Sequence, residues 1–107
     1  MANIDEASKT RLTDDMNKLV AFGRSFDDTK AWTEARTALG DLGEISGRLL
    51  AKNEREDIAL ASSLSQLDER LENLKFSSKN PSARSEFILS LGDVEYRVKR
   101  LFGVAVR

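Results

Sequence analysis

The chain of 107 residues contains no cysteine and no histidine. Without cysteine there can be no disulfide and no thiol nucleophile, and without either residue nearly all zinc and haem ligand sets are excluded. Histidine is also the side chain that most often transfers protons near neutral pH. We therefore predict a protein that is not an enzyme, with no catalytic residues, no metal site and no cofactor.

Proline and long apolar runs are scarce as well. Pro81 is the single proline, and no run of apolar residues approaches the length of about 20 that crosses a bilayer. Residues 1–6 lack the basic and apolar regions of a signal peptide. We expect a cytoplasmic protein without membrane association.

The residues that are abundant favour helix. The chain has 14 leucines, 40% of its residues are hydrophobic and 33% are charged, which is ordinary for a globular protein. Leucine, lysine, arginine and glutamate are good helix formers, and pairs of neighbouring β-branched residues, which favour strand, are few. The composition and the length predict a single all-α domain over residues 1–107.

The clearest pattern is a seam of leucines spaced 4, 3, 4 and 3 residues apart. It comprises Leu60, Leu64, Leu67, Leu71 and Leu74. On a helix these side chains lie on one face, while Asp68, Glu69, Arg70 and Glu72 point elsewhere. Such a seam must be buried against other helices, and we expect Leu67 at its centre to be fully buried.

Three further segments carry comparable patterns. The first runs from Ile4 to Ser25 with Asn3 or Asp5 as N-cap, and its seam is Leu12, Met16, Leu19, Gly23 and Phe26, flanked by Val20 and Phe22. The second, from Thr29 towards Lys52, is expected to bury Trp32, Ala35, Leu39, Leu42 and Leu49, with Ile45 and Leu50 beside them. The last has Phe87, Leu91, Val94, Val98 and Leu101, and ends at Gly103.

These four segments predict an antiparallel four-helix bundle. The expected breaks lie at Asp27 and Asp28, near Asn53, and at residues 77–82, where Asn80 and Pro81 form a helix-start signal. The alternative is a dimer of long helical hairpins. A separate alternative to the break near Asn53 is a continuous second and third helix of more than forty residues, because Leu49 and Leu60 are eleven residues apart and would share a face.

Three glycines weaken the second helix. Gly40, Gly43 and Gly47 lie along one flank, and each costs about 1 kcal/mol relative to alanine inside a helix. Close approach of another helix would explain them. A break at Gly40, with Asp41 and Glu44 capping a new helix, is the other interpretation. We predict an unbroken helix.

Charge is unevenly distributed along the chain. Residues 1–74 hold 10 basic and 15 acidic side chains, whereas residues 75–107 hold 7 basic and 3 acidic ones. The alternative function is therefore a weak nucleic-acid-associated regulator that uses the basic last third of the chain. Its candidate phosphate contacts are Lys75, Lys79, Arg84, Arg97, Lys99 and Arg100. Pairing within the fold, such as Asp93 with Arg97 at i, i+4, is the simpler explanation.

Two acidic pairs are the only candidates for catalysis. Asp41 with Glu44, and Glu54 with Asp57, are spaced i, i+3, as are the carboxylates that hold magnesium in helical pyrophosphohydrolases. The second pair falls in a predicted turn, and no basic cluster for phosphates accompanies it. We interpret both pairs as chance spacings in an acidic segment.

The candidate functional residues are therefore those of a protein-binding surface. Leu89, Gly92, Tyr96 and Lys99 are spaced 3, 4 and 3 on the side of the last helix away from its seam, with Arg100 beside them. We predict that these five residues bind a protein partner and that the protein is a homodimer acting as a small regulator, inhibitor, adaptor or chaperone. If the last helix is instead central and buries both faces, these residues belong to the core.

Overall fold

Four α-helices run through the residues that the computed structural model describes, which are 5–26, 29–51, 54–76 and 79–104. They are α1 (Glu6–Ser25), α2 (Thr29–Leu49), α3 (Glu54–Phe76) and α4 (Pro81–Phe102). None of these residues lies in a β-strand. The all-α prediction is confirmed.

Each helix packs against two others. α1 contacts α2 and α4, and α3 contacts α2 and α4, so the helices surround one core. Trp32 Nε1 in α2 donates a hydrogen bond of 2.8 Å to the carbonyl oxygen of Leu71 in α3, and Arg36 pairs with Asp68 at 2.6 Å. Since residue numbers rise along α2 as they fall along α3, these two helices are antiparallel.

This arrangement decides between the two predicted architectures. α2 ends at Leu49, and α3 begins at Glu54 and packs back on α2. The radius of gyration is 13.3 Å, close to the value of about 13 Å for a compact domain of 100 residues. One chain therefore closes an antiparallel four-helix bundle. The continuous second and third helix is wrong, and the fold is the four-helix bundle and not an extended hairpin.

The helix ends follow local capping chemistry. Asp5 is the N-cap of α1, its side chain accepting a hydrogen bond of 2.8 Å from the Ser8 amide. Asn80 caps α4 in the same way, and Pro81 occupies its first position. Gly103 adopts φ 66° and its N–H donates to the Lys99 carbonyl. The predictions that fall on Asn3, Asp27, Asp28 and Asn53 lie outside the described residues.

The predicted seams form the core, with small changes at their ends. Leu67 is 0% exposed, as predicted, and so are Leu12, Met16, Leu19, Leu42, Leu71, Phe87, Val94 and Val98. Phe22 and Phe102 are also fully buried, whereas Gly23, Phe26 and Leu101, which were expected in the seams, are half-buried. Trp32 and Leu49 are half-buried too. A straight helix has 3.6 residues per turn, so a strict 4-3 spacing drifts off the core face.

The three glycines of α2 do not break the helix, and no described part of the same chain packs closely against them. α2 is continuous from Thr29 to Leu49, as predicted. A Cβ atom built at Gly40 or Gly47 meets nothing within 4 Å, and one at Gly43 only reaches Leu64 Cδ1 at 4.0 Å. Close approach by another helix of the same chain is therefore the wrong explanation, because no described residue fills the space beside these glycines.

Candidate interaction surface

The predicted partner-binding residues lie together on the outer face of α4. Leu89 is 75% exposed and Tyr96 is 61% exposed. Gly92, Lys99 and Arg100 are exposed beside them, and a Cβ at Gly92 would meet nothing within 4 Å. The alternative in which α4 buries both faces is wrong. We call these five residues the α4 strip.

Hydrogen bonds along α4 hold the polar side chains near the strip. Arg100 Nη1 donates to the Tyr96 hydroxyl at 3.3 Å, and Lys99 Nζ lies 3.2 Å from a Glu95 carboxylate oxygen. Arg97 pairs with Asp93 at 3.3 Å, as predicted. Exposed pairs at this spacing contribute only a few tenths of a kcal/mol, so they remain available to a partner.

Several basic residues proposed for phosphate binding have partners inside the fold. Lys75 Nζ lies 5.2 Å from the centre of the Trp32 ring, and the Arg84 guanidinium lies 4.9 Å from that of Phe26. These are cation–π distances. Arg97 and Lys99 lie beside acidic neighbours, so these four of the six candidate phosphate-binding residues make intramolecular contacts at separate places.

A second surface, which the sequence did not indicate, is an open groove between α2 and α3. Its volume is about 480 Å³. Gly40, Gly43 and Gly47 line it on α2, and Ala61 and Ser65 line it on α3. The buried residues Leu39, Leu60 and Leu64 also contribute to its lining, and Arg36, Asp57 and Asp68 supply its charges. We call it the α2–α3 groove.

Two polar side chains that line the groove have no hydrogen-bond or ion-pair partner among the described residues. Ser46 lines it, is 2% exposed, and its Oγ has no hydrogen-bond partner among the described residues. A buried hydroxyl without a partner costs roughly 1–3 kcal/mol. Asp57 also lines the groove and makes no ion pair with a described residue, whereas Asp68 is paired with Arg36. Spacing alone gave no signal for either, since both are polar residues in a helix.

Two aspartates, Asp15 of α1 and Asp41 of α2, form a hydrogen-bonded pair between these helices, away from the α2–α3 groove. Asp15 is 5% exposed; burial, followed by its hydrogen bond to Asp41, raises its pKa to about 8. The same hydrogen bond and the ion pair with Arg11 lower the pKa of Asp41. Asp15 is therefore protonated near neutral pH and donates to the Asp41 carboxylate. Its Oδ2 has no partner among the described residues.

One residue from each acidic pair considered for magnesium has a clear position, and the two positions are far from forming one site. Asp41 is engaged by α1, whereas Asp57 lines the groove toward α3. Within the described ranges no three acidic side chains are grouped so that they could hold a metal ion. None of the helices in those ranges is both long and apolar enough to span a bilayer.

Comparison with known proteins does not extend this picture. The chain matches no protein-family model, no curated protein and no solved structure.

Proposed function

We propose that this protein is a non-enzymatic protein–protein interaction module that binds its partner through the α4 strip. Its role would be that of a small regulator, inhibitor, adaptor or chaperone. The observation that carries the proposal is the exposure of Leu89 and Tyr96, at 75% and 61%, on a helix whose opposite face is fully used by the core.

Physical chemistry supports binding at this strip over a purely structural role. Leu89 and Tyr96 gain little from the fold, since most of their apolar surface remains in water. A partner that covered them would remove that surface from water, and tyrosine offers a large contact area for few rotatable bonds. Arg100 and Lys99 place positive charge at one end of the strip, which would orient an acidic partner surface.

The proposal also covers the oligomeric state of the protein and its place in the cell. An exposed apolar strip on a small domain is satisfied most simply by another copy of the chain, and a homodimer is the smallest such assembly. We also propose a cytoplasmic setting, which is the expectation from the sequence. The intramolecular contacts of Lys75, Arg84 and Arg97 favour a protein partner over nucleic acid.

The first test is the double variant Leu89→Ser with Tyr96→Ser. Both side chains are exposed, so we expect the helical circular dichroism and the melting temperature to stay close to those of the wild type. We expect capture of the partner from an extract of the native source, measured by mass spectrometry, to be lost. Any bound RNA or DNA is assayed in parallel at low salt.

Ile88→Ser is the matched control. Ile88 is an exposed apolar residue of the same helix, but its Cδ1 lies against Gly23 of α1 and it is outside the strip. The control should keep partner capture. Undiminished capture by the double variant would contradict the proposal, and retention of nucleic acid instead of protein would favour phosphate binding.

A further inference from the structure

The α4 strip and the α2–α3 groove have matching spacings. Leu89 and Tyr96 are seven residues apart on α4, and Gly40 and Gly47 are seven residues apart on α2. Seven helical residues span about 10 Å, so two projecting side chains and two open spaces have the same separation. Gly92 lies between the projections, and Gly43 lies between the spaces.

The groove has room for these side chains. At Gly40 and Gly47 an added Cβ would meet no atom within 4 Å, and the groove encloses about 480 Å³. The backbone of a helix can approach small residues closely, as it does wherever glycine and alanine line a helix–helix contact. No residue of the described ranges fills either opening.

The charges define one orientation. Arg36 pairs with Asp68, and this antiparallel register places Gly47 of α2 level with Asp57 of α3. If Tyr96 of an incoming helix enters at Gly47, its Arg100 lies one turn beyond Asp57, which makes no ion pair with a described residue. Side chains on a helix lean toward its N-terminus, so the long Arg100 side chain can extend back to that carboxylate.

We propose that the α2–α3 groove is the binding site for the α4 strip of a second copy of this chain. Leu89 of the second copy enters at Gly40, Tyr96 enters at Gly47, and Arg100 pairs with Asp57. This inference rests on the proposed function, since it names the partner of the same strip. It gives the three glycines of α2 a role in binding, whereas packing within the monomer does not explain them.

The contact is head-to-tail, because the strip and the groove lie on different faces of the bundle. α4 packs on α1 and α3, whereas the groove lies between α2 and α3. A pair of chains joined in this way leaves one free strip and one free groove. Assembly therefore continues beyond the dimer as the concentration rises, unless the angle between copies closes a ring.

Two variants separate the two halves of the contact. The groove variant carries Gly40→Leu with Gly47→Leu, which fills both openings, and the strip variant carries Leu89→Ser with Tyr96→Ser. Sedimentation equilibrium should show that the wild type is an oligomer and that each variant alone has the monomer mass of 11.9 kDa. An equimolar mixture should contain a species of twice that mass and nothing larger, because it offers one intact strip and one intact groove.

Other outcomes overturn the proposal in distinguishable ways. A groove variant that still dimerises alone means that the strip binds another surface, such as a second α4. A wild type that stays monomeric at every concentration rules out self-association, while the partner-capture assay still tests the proposed function separately.

A charge exchange tests the orientation without filling the groove. Asp57→Arg alone, or Arg100→Asp alone, should weaken self-association, and combining both changes in one chain should restore it. Failure of the combined variant to recover overturns the contact between these residues, as does an unchanged affinity in both single variants.

Discussion

At the scale of single residues, the least expected feature is the buried carboxyl group of Asp15. Asp15 lies three residues after Leu12 and four before Leu19, so helical geometry places it beside the core face. Aspartate is seldom buried in proteins, so its residue type alone does not predict this position. The spacing of Asp15 from these two seam leucines is the one sequence feature that indicates its burial.

This residue makes stability depend on pH in a definite direction. The pKa of Asp15 is about 8 in the folded chain and near the ordinary value of 3.8 in the unfolded chain. Between these values the folded state holds a proton that the unfolded state has released. The free energy of unfolding should therefore fall as pH rises from about 4 to about 8, by at most about 1.4 kcal/mol per pH unit. Lys18 and Arg11 reduce the effect, since both favour the charged form.

Asp15→Asn should remove most of this dependence. The amide can still donate to Asp41 but has no proton to lose, so we expect a flatter profile and a more stable protein at pH 8.

Asp41 acts in the opposite sense and at lower pH. Because its pKa is lowered, its contribution to stability is lost as pH falls below about 4. Chemical denaturation at several pH values measures the profile.

Asp14→Asn is the control for this experiment. Asp14 is the neighbouring residue on α1 and is exposed, so its replacement should leave the slope between pH 4 and 8 in place. An Asp15→Asn variant with the same slope as the wild type would show that another group is responsible.

At the scale of the helices, α2 forms despite three glycines because its other face is buried. Ala35, Leu39, Leu42 and Ile45 are all at most 5% exposed. Tertiary burial of such a stripe contributes more than the helix propensity that the glycines lose. The helix is therefore weaker than its length suggests, and the weakness is confined to one flank.

Gly40→Ala and Gly47→Ala should each stabilise the monomer by up to about 1 kcal/mol. Neither added methyl group meets an atom within 4 Å, so propensity acts without a steric cost. The two gains should be nearly additive, because the sites are about 10 Å apart. Thermal unfolding at low protein concentration measures them.

Gly43→Ala serves as the comparison. Its Cβ would reach Leu64 Cδ1 at an ordinary contact distance of 4.0 Å, so it should be stabilising as well. If the changes at Gly40 and Gly47 lowered stability, those positions would have to be occupied in the monomer, and the groove would not be open.

The sequence predicted helix faces better than helix ends or polar contacts. Leu67, Leu71 and the caps at Asp5 and Asn80 followed from spacing and local hydrogen bonding. Phe102 replaced Leu101 in the core because the 4-3 spacing drifts relative to a straight helix over three heptads. Local patterns fix which residues face inward, but the partner of a polar side chain depends on how neighbouring helices are aligned.

The groove was missed for the same reason. Gly40, Gly43 and Gly47 were recognised as sharing a flank, and their meaning depended on whether another helix filled that flank. Only the packing of α2 against α3 shows that nothing does. The α4 strip was easier to predict, since exposure follows directly from lying opposite a seam.

At the scale of the whole molecule, the bundle separates the surface features that the core does not use. The α4 strip projects large side chains and positive charge, whereas the α2–α3 groove offers open space and the carboxylate of Asp57. Each feature has a small cost when it stays in water. In the proposed assembly, the α4 strip of one copy would cover the α2–α3 groove of the next.

The most direct test of this account is a series of amide ¹H–¹⁵N NMR spectra of the wild type, recorded from dilute to concentrated protein. We expect concentration-dependent shifts in two groups of amides, residues 89–100 of α4 and residues 40–47 of α2, while the amides of α1 that face away from both surfaces stay unchanged. Shifts in α4 alone would contradict the groove as the receiving surface. Spectra that do not change with concentration would contradict self-association through the α4 strip.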